Sequence, residues 1–178
     1  MPQISPSRRD ALAALPVAAS GALAGPAAAQ TPAGSASSAT RHRTITIDGI
    51  DIFYREAGPA DAPVLLLLHG FPSSSRMFRN LIPALAGRYR LIAPDYPGFG
   101  HSAVPDRASF KYGFARFAEL IDKFLTELRI ERFALYVMDY GAPVGFRLAL
   151  KRPEQVTALI AQNGNAYEEG LREFWVPV

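Results

Sequence analysis

Hydrophobic residues along the chain follow two spacings, that of buried strands and that of helices. Four apolar runs, at residues 64–68, 89–93, 133–138 and 156–162, are too short for helices. The run at 64–68 fits a strand that is buried on both faces of a parallel sheet, and the other three predict further strands of that sheet. Alternating apolar and polar residues on either side of Gly49 predict an antiparallel hairpin at one sheet edge.

Apolar residues at three- and four-residue intervals predict helices between these strands. A serine within 73–75 can cap the first helix, which would end at Gly87. Residues 114–128 are strongly amphipathic, and we assign their aromatic stripe to the core. Residues 142–151 form a third predicted helix, and residues 167–175 fit one more. The order β-β-β-α-β-α-β-α-β predicts an α/β fold with a mostly parallel sheet.

The first forty residues differ in composition from the rest of the chain. Paired arginines at 8–9 precede a run of small and apolar residues, and alanines at 27–29 resemble a cleavage site. This resembles a twin-arginine export signal. We therefore predict a signal peptide at 1–29, a flexible linker at 30–43 and the folded domain at 44–178. The mature protein is expected to be exported, periplasmic or secreted, without a membrane span. A disordered alanine-rich tail is the alternative.

Composition narrows the possible chemistry. The chain has no cysteine, which excludes disulfides, thiolate nucleophiles and zinc–sulfur sites. Three histidines are too few for a histidine-rich metal centre. Nineteen basic and 16 acidic residues give a net charge of +3, and the lysines form no cluster. We expect no nucleic-acid partner, no metal and no cofactor. Nothing in the pattern indicates an oligomeric state.

The turn after residues 133–138 contains the most informative polar residue. Asp139 lies between a predicted strand and a predicted helix, with Gly141 two positions later. A strained strand–turn–helix elbow has this form. The helix N-terminus favours an ionised carboxylate, which is a competent nucleophile toward saturated carbon. Aspartate is also a common helix N-cap, so the turn alone leaves both interpretations open.

Two neighbouring loops favour the nucleophile. HGFP at 69–72, DYPGFGHS at 95–102 and VMDYGAPVG at 137–145 each follow a predicted strand, in this order. Together they resemble the α/β-hydrolase family, in its epoxide hydrolase and haloalkane dehalogenase branch. The resemblance covers residues 45–175. It implies an α/β-hydrolase fold that is truncated after the sixth strand, without the lid and the C-terminal strands.

The resemblance also implies a reaction. Asp139 would attack a small apolar epoxide or halogenated substrate and form an alkyl-enzyme ester, which an activated water would hydrolyse. The backbone N–H groups of Phe71 and Tyr140 would form the oxyanion hole. Four further residues support the motifs, and in the family the histidine among them shapes its loop: His69, Gly70, Pro72 and Gly141.

The branch is decided by a few positions. Phe71 is similar to epoxide hydrolases, whereas Val137 is similar to the dehalogenase elbow. Dehalogenases of the family usually have tryptophan at the place of Tyr140. We favour epoxide hydrolysis, with dehalogenation as the alternative. The elbow has no serine, which argues against an esterase.

The family's base histidine has no counterpart in this sequence, because no histidine follows His101. Glu168 and Glu169 are weak candidates for the acid that orients a base, and Tyr167 comes too early for a lid tyrosine. We expect His42 and His101 to be solvated and His69 to be structural, while Asp95 orders its own turn. The second hypothesis is therefore a catalytically incompetent fragment or one subunit of a split protein.

Overall fold

The computed structural model describes residues 39–167. The predicted signal peptide at 1–29 and the candidate acids Glu168 and Glu169 lie outside these residues. All but the first residue of the predicted helix at 167–175 lies outside them as well. No helix in the described part of the chain combines the length and apolar character needed to cross a membrane.

Six strands form one sheet in the order β1-β2-β4-β3-β5-β6. The strands are β1 (Arg41–Ile47), β2 (Ile50–Ala57), β3 (Val64–Leu68), β4 (Arg90–Pro94), β5 (Phe133–Met138) and β6 (Val156–Gln162). β2 pairs antiparallel with β1 and with β4, and the remaining neighbours are parallel. The predicted edge hairpin and the mostly parallel sheet are confirmed.

The helices lie between the strands as predicted, with one correction. They are a 3₁₀-helix (Ser75–Phe78), α1 (Leu81–Leu85), α2 (Phe114–Glu127) and α3 (Gly141–Lys151). The single helix predicted from 73–75 to Gly87 is wrong, because the chain forms two short helices there. Pro83 explains the break: it cannot donate to the carbonyl of Arg79, and its ring would clash with that carbonyl in a continuous helix. Ser74 caps the first piece, accepting from Arg76 N at 3.3 Å.

The sheet separates two hydrophobic clusters because successive side chains of a strand point to opposite faces. Leu66 and Leu68 of β3 belong to the larger cluster, which α2 and α3 complete. Leu67 belongs to the smaller cluster, together with Phe78 and Ile82. β3 therefore lies fully inside the domain, and the loop that follows it starts from a rigid position.

The boundary of the predicted linker needs a second correction, because β1 begins at Arg41. Residues 41–43 are strand, not linker. Arg43 Nε lies 2.9 Å from a carboxylate oxygen of the buried Glu56 on β2, and Arg90 contacts the other oxygen at 2.9 Å. Residues 41–43 of this exposed edge strand are all polar, so the alternation of apolar and polar residues that predicted the strand begins only at Thr44.

Candidate active site

Asp139 lies in a sharp turn between β5 and α3. Its φ angle is 46°, in the left-handed region that residues with a side chain rarely adopt. Gly141 allows the turn to pack against β3, since a Cβ at this position would lie 2.3 Å from the carbonyl oxygen of Leu68. The strain and the close packing are those of the predicted elbow.

One carboxylate oxygen of Asp139 is held by two backbone groups from different loops. Oδ1 accepts from Phe71 N at 2.8 Å and from Tyr140 N at 2.7 Å. No hydrogen bond reaches Oδ2 from any side chain in residues 39–167. The N-cap of α3 is Tyr140, and no side chain caps the helix. The arrangement therefore differs from an ordinary aspartate cap and leaves Oδ2 available.

Gly70 lets the loop after β3 approach this carboxylate. A Cβ at residue 70 would lie 2.5 Å from Asp139 Cβ and 2.7 Å from Oδ1. Ser73 N donates to the carbonyl oxygen of Gly70 at 3.0 Å and closes the turn that contains Pro72. From the sequence, Gly70 and Pro72 only supported the motif, and the structure shows that Gly70 makes room for the side chain of Asp139.

His69 is buried and fixed at both ring nitrogens. Tyr96 N donates to Nε2 at 3.2 Å, so the proton lies on Nδ1, which donates to the carbonyl oxygen of Gly70 at 3.0 Å. Burial lowers the pKa of the imidazole below its ordinary value, although the Gly70 carbonyl and the nearby Asp95 and Asp139 carboxylates act against this. A neutral ring with both nitrogens occupied is structural, as predicted, and is not available as a base.

Asp95 orders its own loop and also ties that loop to another element. Its Oδ2 accepts from His101 N at 2.9 Å, which is the predicted local role. Its Oδ1 accepts from Ser75 N at 2.6 Å, a contact across 20 positions that no local spacing signals. His101 is exposed, as predicted. His42 is exposed as well, but it lies in β1 rather than in a linker, and its Nε2 contacts the Arg55 guanidinium.

A pocket of about 740 Å³ adjoins the turn. Aromatic rings form most of its wall: Phe71, Phe99, Phe110, Tyr112, Phe114, Phe117 and Tyr140. The rings of Phe71 and Tyr140 stack with centroids 5.4 Å apart, so the two residues that bind Asp139 through their N–H groups also face the pocket. Phe117 is buried as predicted, but Phe114 is not simply a core residue because it is half-buried in this wall.

Other functional groups are sparse around the turn. Within residues 39–167, no three histidine, aspartate or glutamate side chains cluster closely enough to hold a metal ion. Tyr167 is exposed after the end of β6. The residues of the turn were thus predictable from local motifs, whereas the pocket wall was not, because its members come from several separate segments.

A family model described as the alpha/beta hydrolase fold matches residues 63–177. An uncharacterized hydrolase of Saccharomyces cerevisiae is 55% identical over 138 residues, which are 77% of this chain and 47% of that protein. A haloalkane dehalogenase of Mycobacterium marinum is 40% identical over 112 residues, which are 62% of this chain and 37% of the relative.

Solved structures give the same result. A loop variant of a haloalkane dehalogenase from Bradyrhizobium elkanii superposes with a TM-score of 0.66 at 36% identity. The match covers 70% of this chain and 40% of the dehalogenase. The chain spans less than half the length of the curated relatives it matches.

Proposed function

This chain belongs to the α/β-hydrolase fold family, and we propose that Asp139 forms a covalent ester with a saturated carbon of a haloalkane or an epoxide. One observation supports this most directly. Oδ1 of Asp139 accepts hydrogen bonds from Phe71 N and Tyr140 N, while Oδ2 is left without a partner in the described residues. The carboxylate is thus oriented with one oxygen bound and the other free to attack.

In the first step, Oδ2 attacks the electrophilic carbon and a carbon–oxygen bond forms. The carbon–halogen bond of a haloalkane breaks, and its electron pair leaves with the halide ion. In an epoxide, one ring carbon–oxygen bond breaks instead, and the resulting alkoxide takes a proton from water. Both reactions give the same kind of alkyl ester on Asp139.

In the second step, water attacks Cγ of the ester. Negative charge develops on Oδ1, which the N–H groups of Phe71 and Tyr140 already contact at distances of 2.8 and 2.7 Å. Two such donors stabilise an oxyanion, each by about 3 kcal/mol in well-studied enzymes. Collapse of this intermediate releases the alcohol and regenerates the carboxylate, provided that a base removes the proton of the attacking water.

The described residues place no base against the ester. The ring of His69 is hydrogen-bonded at both nitrogens, and no histidine follows His101 in the sequence. We therefore propose that the 178-residue chain completes the first step and performs the second slowly. This combines both predictions from the sequence, a nucleophile of the hydrolase type and a chain that lacks efficient turnover.

The two substrate classes have different support. The presence of haloalkane dehalogenases among the relatives supports a haloalkane as the substrate of this chain. Phe71 supports an epoxide, because phenylalanine at this place in the HGFP motif is similar to epoxide hydrolases. The sequence-based preference for epoxide hydrolysis rested on this residue. Because both classes react with the same oxygen of Asp139, one experiment examines them together.

Intact mass spectrometry of the chain with a primary bromoalkane or a terminal epoxide tests the proposal. We expect one adduct of the alkyl or hydroxyalkyl mass, located on Asp139 by peptide mapping. Asp139→Asn should form none, whereas Asp61→Asn, which changes an exposed aspartate away from the turn, should react like wild type. An adduct that persists in Asp139→Asn, or no adduct from either compound, would refute the proposed nucleophile.

A further inference from the structure

The pocket beside Asp139 has an apolar wall and a cationic side. Aromatic rings form most of the wall, and the charged residues among those that line the pocket are Arg107 and Lys111. No aspartate or glutamate belongs to the described lining. Both cationic side chains belong to exposed residues, and neither has an ion-pair partner within residues 39–167.

The neighbouring acidic residue does not compensate these charges. Asp106 precedes Arg107, but its Oδ1 accepts from Ala108 N at 2.7 Å and lies beyond ion-pair distance of both cations. The ion pairs nearest along the chain are those of Arg116 with Asp48 and Glu119, and they do not include Arg107 or Lys111. Arg107 and Lys111 are therefore available to a ligand.

The negative charge of the Asp139 carboxylate and the positive charges of Arg107 and Lys111 lie in different parts of the site. The carboxylate is bound by the backbone N–H groups of Phe71 and Tyr140, which both line the pocket, whereas the two cations lie in the segment between β4 and α2. An anionic group on a substrate is repelled by Asp139 and attracted by Arg107 and Lys111. Such a group would turn the opposite, uncharged end of the substrate toward the nucleophile.

We infer that the pocket selects a carboxylate-bearing substrate, with an apolar body against the aromatic wall and the carboxylate at Arg107 and Lys111. This inference rests on the proposed function, because it names the substrate class of the same site. Exposed ion pairs change an equilibrium constant by roughly two- to fivefold each. Two cations should therefore favour the anionic substrate by about fivefold or more over its neutral counterpart at low salt, and less at high salt.

The test compares a primary bromoalkane with the ω-bromo carboxylate of the same chain length. The rate of adduct formation on Asp139 is measured for each by intact mass, and the ratio of the two rates is the readout. Wild type should prefer the carboxylate. The double variant Arg107→Gln/Lys111→Gln should bring the ratio close to one, and the charge-preserving variant Arg107→Lys/Lys111→Arg should keep the preference.

Arg88→Gln/Arg132→Gln is the matched control. It removes two exposed cations outside the pocket lining and should leave the ratio unchanged. The inference alone is overturned if the neutral bromoalkane alkylates Asp139 and the carboxylate shows no preference, or if the double variant keeps the wild-type ratio. If neither compound reaches Asp139, the proposed function fails and the inference fails with it.

Discussion

The orientation of Asp139 depends on the absence of a Cβ atom at Gly70. The N–H groups of Phe71 and Tyr140 converge on Oδ1 only because the loop after β3 passes against the Asp139 side chain. Gly70 is the point of closest approach, with the position of a Cβ 2.5 Å from Asp139 Cβ. Contacts this short require a shift of the backbone or of the carboxylate, and neither can move without losing the two hydrogen bonds.

Gly70→Ala should therefore lower the rate of adduct formation on Asp139 by roughly 100-fold, since a displacement of about 1 Å costs that much in other enzymes. The measurement is the mass-adduct rate with a primary bromoalkane. Gly87→Ala is the control, because a Cβ at residue 87 meets no atom within 4 Å. A wild-type rate in Gly70→Ala would show that the close approach does not position the nucleophile.

His69 makes a second prediction, on the pH dependence of stability. Burial holds the pKa of its imidazole below the ordinary value of 6.5. The unfolded chain therefore takes up a proton as the pH falls below about 6.5, while the folded chain does not, and the free energy of unfolding decreases. The stability that the neutral ring provides is complete above that pH and is lost as the pH falls toward the folded-state pKa.

Urea denaturation at about pH 7.5 and pH 5.5 measures this effect. The advantage of wild type over His69→Gln should narrow at the lower pH, by at most about 1.4 kcal/mol per pH unit. His101→Gln changes an exposed ring and serves as the comparison variant. The prediction is wrong if the gap between wild type and His69→Gln stays constant or widens on acidification.

The sequence predicted those site residues whose signals are local. Asp139, Tyr140 and Gly141 follow one another in a turn, and Phe71 belongs to a four-residue motif. The contact between Asp95 and Ser75 and the space that Gly70 provides depend on pairs that are 20 and 69 positions apart. Such pairs meet only because the sheet brings β3, β4 and β5 side by side, and a single sequence does not report that distance.

Between elements, the contact of α2 with α3 depends on a buried carboxylate. Asp122 of α2 accepts from Lys151 Nζ at 2.7 Å and from Arg152 Nε, while its carbonyl oxygen accepts from the Arg152 guanidinium at 3.0 Å. Burial raises the pKa of Asp122, but the bonds from Arg152 and Lys151 outweigh this and hold the pKa below its ordinary value. The pair of helices is thus joined by charge as well as by its apolar faces.

Asp122→Asn should destabilise the fold by about 2 kcal/mol at neutral pH, because two cations lose a charged acceptor. The difference in unfolding free energy between wild type and Asp122→Asn should shrink as the pH falls below about 3.8. There Asp122 becomes protonated in the unfolded wild-type chain before it does so in the folded one, which lowers wild-type stability. Glu119→Gln, which breaks an exposed pair with Arg116 on the same helix, should cost less than about 1 kcal/mol. Equal effects of the two variants on the denaturation midpoint would contradict the proposed role of Asp122.

The elements themselves were predictable to different degrees. β3, β5 and β6 have the predicted bounds. Apolar runs mark β3 and β5, which lie inside the parallel sheet, whereas β6 is an edge strand whose side chains are mostly exposed. The helix before β4 was predicted as one piece because its apolar residues keep helical spacing across Pro83. Periodicity indicates which face of a helix is buried. It does not indicate that Pro83 has no N–H to donate to the carbonyl oxygen of Arg79, which interrupts a continuous helix.

The chain as a unit places the two loops that bind Asp139 at one edge of its sheet. β3 and β5 are adjacent and parallel, so the loop with Phe71 and the turn with Tyr140 leave the sheet side by side. In open α/β sheets, ligands bind at this carboxyl edge of the strands. The topology thus supplies the nucleophile and the paired N–H donors together, whereas the base needed for the second step has no counterpart among residues 39–167.

The alkyl ester of Asp139 should consequently accumulate on the 178-residue chain and release alcohol slowly. Added imidazole should accelerate the release, because a general base typically contributes about 10²- to 10⁴-fold and none contacts the ester in the described residues. Time-resolved intact mass follows the loss of the adduct. In isotopically labelled water the regenerated Asp139 should gain one labelled oxygen, since water attacks Cγ and not the alkyl carbon. Rapid multiple turnovers without imidazole, or label found only in the alcohol, would exclude this division between a complete first step and an unassisted second one.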